Sequence, residues 1–388
     1  FWFWDPVENV SLMPWLALTA LLHCIMVLEK KQVLTSWVII LSISTFTLSM
    51  CGTFLVRSGI LNSVHKFAND PERGLFILIF LFSLIFISLF IFFFFHKTTD
   101  NNSNNFFWLS KETSIVINNW FMMYFLSVVL IGTMYPIFLE VLSSDKISVG
   151  PPFYHKLIIP FLIPFLIAMA LGPKLKWIKS NIVDKVYLIL FFAISIALSF
   201  LIVKKFNSNL LINTILVSSA LYLFFITLRD FFIKKYTNIS QNIAHFGFSL
   251  LILSILLNNL FSSEIITNLK IGETFSSPNT KIVFKSINQK EEKNYKSIVA
   301  NFSIENFNGT NEDLSPELRI YNQPNIVTSE ADIKTTLLSD KFIVINIVQN
   351  QDYFNVRYQV KPFMLWIWIS VISISVGGLL RLVDKEYE

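Results

Sequence analysis

The sequence predicts an all-α polytopic membrane bundle of about nine transmembrane helices, joined to one small extracytoplasmic β-rich domain. Of its 388 residues, 54% are hydrophobic and only 15% are charged, whereas a soluble domain carries about a quarter charged residues. The apolar residues gather in blocks of about 17 to 25, the length that crosses a bilayer core as a helix. One stretch, 262–361, breaks this regime: it is polar and holds short β-like runs between turn formers.

Taken in order, helices are expected at about 12–29, 33–54, 75–95, 115–138, 157–172, 186–203, 209–228, 242–261 and 363–382. Pro160 and Pro164 do not end the fifth, because a bundle re-satisfies freed backbone groups. Sidedness follows from lysine and arginine, which favour cytoplasmic loops. Thirteen of them, Lys30, Lys97, Lys174, Arg229 and Arg381 included, alternate onto one side. Seven (Arg57, Lys66, Arg73, Lys146, Lys156, Lys204, Lys205) fall on the other. The first side reads as cytoplasmic, with Lys204 and Lys205 against the trend. The N-terminal segment, the loops 55–74 and 139–156 and the 262–361 domain then face outward. Asn-rich 98–105 reads as a solvated cytoplasmic loop. The expected organisation is a bundle over 1–261, the β-rich domain over 262–361, and a last helix with a cytoplasmic tail over 362–388.

Within 262–361 the runs IVFKSI (282–287), KSIVANFSIENF (296–307), FIVINIV (342–348) and YFNVRYQV (353–360) have strand character, and Asn308-Gly309 marks a turn. The net charge of +5 sits in short loops and gives no support for nucleic-acid binding. Cys24 and Cys51 lie in apolar segments without the spacing of a disulfide framework or zinc site, and read as inert. No GxxxxGK[ST], HExxH or GxSxG is present, which sets aside Walker ATPases, zincins and nucleophile-elbow hydrolases. There is no CxxCH, so the chain is not itself a c-type cytochrome. It begins with Phe1 in mid-motif, so an upstream part is expected and no signal peptide is sought here.

Five histidines carry the chemical information. His23 lies in the cytoplasmic half of the first expected helix, and His245 near the cytoplasmic start of the eighth, which runs the opposite way. At 1.5 Å per residue, both rings fall in the inner half of the membrane. Two readings stand: a pair of interhelical hydrogen bonds, or two imidazoles clamping the iron of a b-type haem. In the opening FWFWDPVENVSLMPWL, Trp2, Trp4 and Trp15 accompany Asp5, Pro6, Glu8 and Asn9. Such a segment is either an interfacial belt or a platform for a planar macrocycle. In LVRSGILNSVHKFANDPERG (55–74), His65 lies near the membrane surface. Arg57 or Arg73 could there pair with a ligand's carboxylates, or snorkel as anchors. His96 and His155 read as ordinary interfacial residues.

FWFWDPVEN resembles the tryptophan-rich "WWD" signature of membrane proteins that handle haem. Further motifs follow in order: LVRSGILNSVHKFANDPERG, GTMYP (132–136), SVGPPF (148–153), HFGFSL (245–250), SPELRIYNQ (315–323) and KPFMLWIWISVISISVGGLLRLVDKEYE (361–388). Together they are similar to the CcmF family of cytochrome c haem lyase subunits, over about its final three-fifths. A nitrite-reductase maturation paralogue is close.

The resemblance implies a haem lyase that takes haem from the chaperone CcmE. With CcmH-type partners, it joins haem to the CxxCH thiols of apocytochrome c. The setting would be the bacterial inner membrane, or the mitochondrial one if the chain is organellar. His23 and His245 match the family's two ligands of a stable haem b, and His65 matches one of two external histidines that ligate haem in transit. The other external histidine belongs to the absent upstream part, so the chain alone is expected to be inactive. Trp2, Trp4 and Asp5 fall in the WWD segment, and Arg57 is expected to bind the cofactor. The family view adds a reducing role for the b haem, with quinol as a candidate electron source. Two rival readings are a membrane haem transporter, which would need repeat symmetry that the sequence lacks, and a non-catalytic scaffold.

Overall fold

A computed structural model describes residues 2–58, 71–96, 107–143, 147–180, 185–206, 209–233, 238–278, 280–306, 311–348 and 352–382. Its helices are α1 (Pro6–Lys31), α2 (Thr35–Ser58), α3 (Pro71–Phe95), α4 (Lys111–Ser143), α5 (Pro151–Leu171), α6 (Lys185–Val203), α7 (Leu210–Phe232), α8 (Ile239–Phe261) and α9 (Met364–Leu380). The first eight are long and apolar enough to cross a membrane. With 17 residues, α9 spans about 26 Å, slightly less than a hydrocarbon core of about 30 Å. The chain divides into two compact units: residues 1–199, 211–226 and 235–237, and residues 200–210, 227–234 and 238–388.

In the first unit, α1 starts at Pro6, earlier than the apolar pattern predicts. Asp5 is its N-cap, accepting from Val7 N at 3.0 Å. Pro6 occupies the first helical turn, and Glu8 accepts from Asp5 N at 3.2 Å. A capping box and an initial proline thus recruit polar residues into the helix. Two further ends depart from expectation. Arg57 lies in the last turn of α2 and Arg73 in the first turn of α3, so the 55–74 stretch is shorter as a connection than predicted. Likewise α4 runs on to Ser143 and α5 begins at Pro151. The predicted solvated loop 98–105 lies outside the described residues.

Close approaches set the helix register. A Cβ added at Gly52 of α2 would meet Val10 O of α1 at 3.5 Å, and one at Gly74 of α3 would meet Ser58 Cα at 2.9 Å. Six residues separate Gly52 from Ser58, and six separate Val10 from Trp4. At 1.5 Å per residue the end of α2 therefore comes level with the start of α1. Helix α3 exposes a Phe-rich surface, with Phe76, Phe82, Phe86, Phe93, Phe94 and Phe95 among its exposed side chains. An apolar face of that extent belongs in hydrocarbon.

The second unit holds α8, α9 and a β-sandwich. Its strands are β1 (Ser263–Leu269), β2 (Thr274–Ser276), β3 (Thr280–Glu291), β4 (Tyr295–Asn306), β5 (Asn311–Leu314), β6 (Glu317–Tyr321), β7 (Val327–Glu330), β8 (Asp332–Thr335), β9 (Ser339–Ile347) and β10 (Phe354–Pro362). One sheet has the order β1-β10-β9-β8, and the other β2-β3-β4-β6-β7 with β5 paired to β4. Period-two alternation drives this packing. Ile282 and Phe284 of β3 point inward between exposed Lys281 and Lys285. Phe284 stacks on its cross-strand partner Phe302 at 4.5 Å. Ile343, Ile345, Val356 and Tyr358 close the core from the other sheet. The predicted Asn308-Gly309 turn lies outside the described residues.

Below the sandwich, α8 and α9 pack through small residues. A Cβ on Gly247 would meet Ile374 N and Ser370 O at 2.9 Å, and one on Gly377 would meet Ala244 N at 2.5 Å. Small residues let backbones approach closely where lipid provides no hydrophobic drive between helices. The far end of α7 joins this unit through Thr227 Oγ1 to Ser249 Oγ at 3.0 Å and Asn242 Nδ2 donating to Asp230 O at 3.1 Å.

Candidate functional site

The N-terminal segment is built into the first unit by one aromatic stack. Trp4 lies on Tyr154 of α5 with ring centroids 4.2 Å apart and an interplanar angle of 6°. Trp2 meets Trp4 edge-on at 6.3 Å, and so does His155 at the same separation. Trp4 has φ +60°, an uncommon conformation for a bulky residue. That bend turns its ring back toward α5. Asn9, fully buried, holds the arrangement: its Nδ2 donates to Trp4 O at 3.1 Å and to Tyr154 Oη at 3.0 Å. Gly132 of α4 makes room for Tyr154, since a Cβ there would lie 2.7 Å from the tyrosine hydroxyl.

The opening motif is therefore split. Trp15 is part of α1, at its exposed surface, and does not join the stack through any contact described. Asp5 has its carboxylate in the helix cap. Trp2 is 37% exposed and Trp4 half-buried, so the first offers more surface to a ligand than the second. Arg57 is exposed in the last turn of α2. His65 lies outside the described residues.

His23 occupies α1, half-buried, with Nδ1 2.8 Å from Thr19 O. A carbonyl oxygen only accepts, so Nδ1 carries the proton and a neutral ring has its lone pair on Nε2. That is the tautomer of an iron-ligating imidazole. His23 thus fits the chemistry of a haem ligand. The adjacent Cys24 is buried and takes a hydrogen bond from Asn119 Nδ2 at 2.9 Å. In the second unit, half-buried His245 follows Ala244, the residue against which Gly377 packs. His23 lies eight residues from the Lys31 end of α1, and His245 six from the Ile239 start of α8. Those spacings correspond to about 12 and 9 Å along the helices. His96 follows α3, pairs with Ser36 Oγ at 3.0 Å and stacks on Phe92.

Sequence reasoning missed Tyr154 and gave His155 no role beyond the interface. Their signal was present in SVGPPFYH, where Pro151 and Pro152 open a helix whose first turns carry both rings.

Residues 1–61 match the family described as cytochrome C assembly protein, and residues 260–362 match the CcmF C-terminal beta-sandwich. Over its whole length the chain is 33% identical to the cytochrome c-type biogenesis protein CcmF of Pseudomonas fluorescens and 31% to that of Escherichia coli (strain K12). It covers 60% and 61% of those proteins, so it spans about three-fifths of the curated relatives it matches. NrfE of Haemophilus influenzae is 28% identical over 98% of the chain and 61% of that protein. A solved structure named Cytochrome c Heme Lyase CcmF aligns with a TM-score of 0.74 at 21% identity, over 97% of this chain and 60% of its own, and so shares the fold. Along its whole length this multi-pass membrane chain is similar in sequence to CcmF-type cytochrome c-type biogenesis proteins, and it shares the fold of the solved CcmF structure.

Proposed function

We propose that the chain is the part of a cytochrome c haem lyase that holds and orients haem while apocytochrome c thiols are added to it. The observation that carries this reading is similarity to CcmF-type proteins over the entire chain. The reaction adds a cysteine S–H across a haem vinyl group: one C–S and one C–H bond form, and an S–H and a π bond are lost. No net redox change occurs, so the protein's contribution is orientation together with control of the iron's oxidation state.

His23 and His245 are the axial ligands of a resident haem b in this reading. Support comes from the Nδ1-protonated ring of His23 and from the similar insets of the two residues from helix ends that alternation of spans puts on one side. That haem would supply electrons, with quinol as their source. His65 holds the iron of the substrate haem at the outer face, and the Trp2–Trp4–Asp5 segment lies against its plane. Trp2, the more exposed ring, makes the face contact. Trp4, braced by Tyr154, sets the position. Asp5 fixes the bend by capping α1. Arg57, exposed where α2 ends level with this segment, pairs with a propionate. The outer face is periplasmic if the host is bacterial, the membrane is the inner one, and the partners are a CcmE-type haem chaperone and a CcmH-type thiol-handling protein.

Two spectra and one yield test the proposal in the complete maturation system. His23→Ala and His245→Ala should each strip or destabilise the low-spin b haem, because each removes a strong nitrogen ligand. His65→Ala should leave that haem intact yet sharply lower holocytochrome c, with added imidazole restoring part of the yield. An unchanged low-spin spectrum in both helix variants rules out the ligand pair, and normal yield from well-expressed His65→Ala rules out the transit ligand.

A further inference from the structure

We infer that the tip of the β8–β9 hairpin, Thr336-Leu337-Leu338, is immersed in the lipid interface and anchors the β-sandwich to the bilayer. Leu337 and Leu338 are adjacent and, at 70% and 69%, the most exposed large apolar side chains among the described residues of the sandwich. Exposed apolar pairs of this kind need an environment other than water. The fold says which one.

Strand β1 leaves α8 directly after Phe261, and β10 runs directly into α9. Their register pairs Ser263 with Val360, so this end of the sheet stands on the two membrane helices. Strand β9 begins at the same level, since Ser339 pairs with Pro362. The turn that precedes β9 is therefore held at the start of α9. Two bonds fix it there: Trp366 Nε1 donates to Leu337 O at 2.9 Å, and Phe363 N donates to Leu338 O at 2.8 Å. The turn is closed locally by Thr336 N donating to Ser339 O at 3.0 Å. Trp366 lies in the first turn of α9, where an indole with one polar edge belongs at the headgroup level. Because α9 is shorter than the hydrocarbon core is thick, centring it in the bilayer draws its first turn to the acyl boundary. The leucines bonded to that turn are carried with it. Their occupant is thus the boundary between headgroups and acyl chains of the membrane that α9 crosses.

The test is spin labelling of the full chain in phosphatidylcholine nanodiscs. Cys24 and Cys51 are first replaced by Ala, and a nitroxide is placed at Leu337→Cys, Leu338→Cys or Lys270→Cys. Lys270 is exposed beyond the far end of β1, about 24 Å up the strand. Collision with oxygen, which concentrates among acyl chains, is compared with collision with a water-soluble nickel chelate. At 337 and 338 the oxygen-to-nickel accessibility ratio should exceed one, and should be at least several-fold above the ratio at 270. A ratio equal to that at 270 overturns the inference, because the tip is then in water. Exclusion of both reagents at 337 and 338 also overturns it, because protein then covers the tip.

Discussion

Gly377 and Gly378 are neighbours in α9, and the same substitution should act on them in opposite directions. At Gly377 an added Cβ would lie 2.5 Å from Ala244 N and 2.8 Å from both Ala244 Cα and Cβ. Carbon contacts settle near 3.5–4.0 Å, so α8 and α9 must separate by roughly 1 Å to admit the methyl group. All three contacts belong to Ala244, two of them to its backbone, so no flexible side chain can yield. Overpacking of this kind costs about 1–3 kcal/mol. At Gly378 nothing lies within 4 Å of the added Cβ. The methyl there enters lipid, and replacing glycine in a helix gains up to ~1 kcal/mol of propensity. Propensity favours alanine alike at both positions, so the predicted gap between the two variants is the overpacking cost, about 1–3 kcal/mol. Unfolding of the purified chain in mixed micelles with rising sodium dodecyl sulfate, followed by circular dichroism, measures it. Because Ala244 precedes His245, Gly377→Ala should also perturb the spectrum of any haem held there. Equal midpoints for the two variants would refute the packing argument.

Asn9→Ala leaves the carbonyl of Trp4 and the hydroxyl of Tyr154 without a shared donor. It should lower stability by about 1–3 kcal/mol and loosen the Trp4–Tyr154 stack, seen as a red-shifted tryptophan emission; an unchanged emission and midpoint would count against that network. Trp4→Ala should cost about 0.5–1.5 kcal/mol for the lost stack and reduce holocytochrome yield without removing the b-haem bands; full yield would show that the stack only braces the helix. Reporter fusions near 105 and 180 should read cytoplasmic and one near 310 external, and a cytoplasmic signal at 310 would invert the arrangement. In the sandwich, Gln359 and Arg357 hold the Glu264 carboxyl below the usual range, and Arg319 does the same for Glu317. Depressed carboxyls contribute stability that is present above their unfolded pKa and lost as pH falls through the folded one. The thermal midpoint of the sandwich should therefore hold steady from neutral pH to about 4.5 and drop below it. The drop should be modest, because Glu264 is exposed and Glu317 only half-buried, and smaller still in a Glu264→Gln, Glu317→Gln variant. A drop of equal size in that variant would exclude these carboxyls as its cause.

The helices were legible because each apolar block is long enough to span and is bounded by polar residues, and that signal is independent of tertiary context. Their ends were less so. Asp5-Pro6-Val7-Glu8 starts α1 by local capping, which an apolar window cannot register, although the capping pattern itself is in the sequence. The long strands β3, β4, β9 and β10 announced themselves by β-branched alternation. The short ones, such as β2 and β8, did not, because they owe their conformation to a neighbouring strand and not to their own residues. At the site, residue types were visible, but partnerships were not. Nothing in the spacing of Trp4 and Tyr154, 150 residues apart, fixes a ring stack. It depends on Gly132 of a third helix leaving the space. Nor could sequence distinguish Trp15, at an exposed position on α1, from Trp2 and Trp4 of the same motif.

One consequence lies in the order in which the chain is made. Among the described strands β1 pairs with β10 alone, and the two are separated by almost the whole sandwich. During synthesis β1 leaves α8 with its partner still unmade, while β3 and β4 can already form their hairpin. The second sheet can therefore assemble first and the first sheet last, its final strand arriving immediately ahead of α9. Distant pairing of this kind is slow, because a long loop must close before any contact rewards it. Closure is aided from below, since α9 entering the bilayer beside α8 brings Pro362 to the amide of Asn258. Completion of the water-facing domain and integration of the last helix are thus a single event, and a mutation that delays one should strand the other.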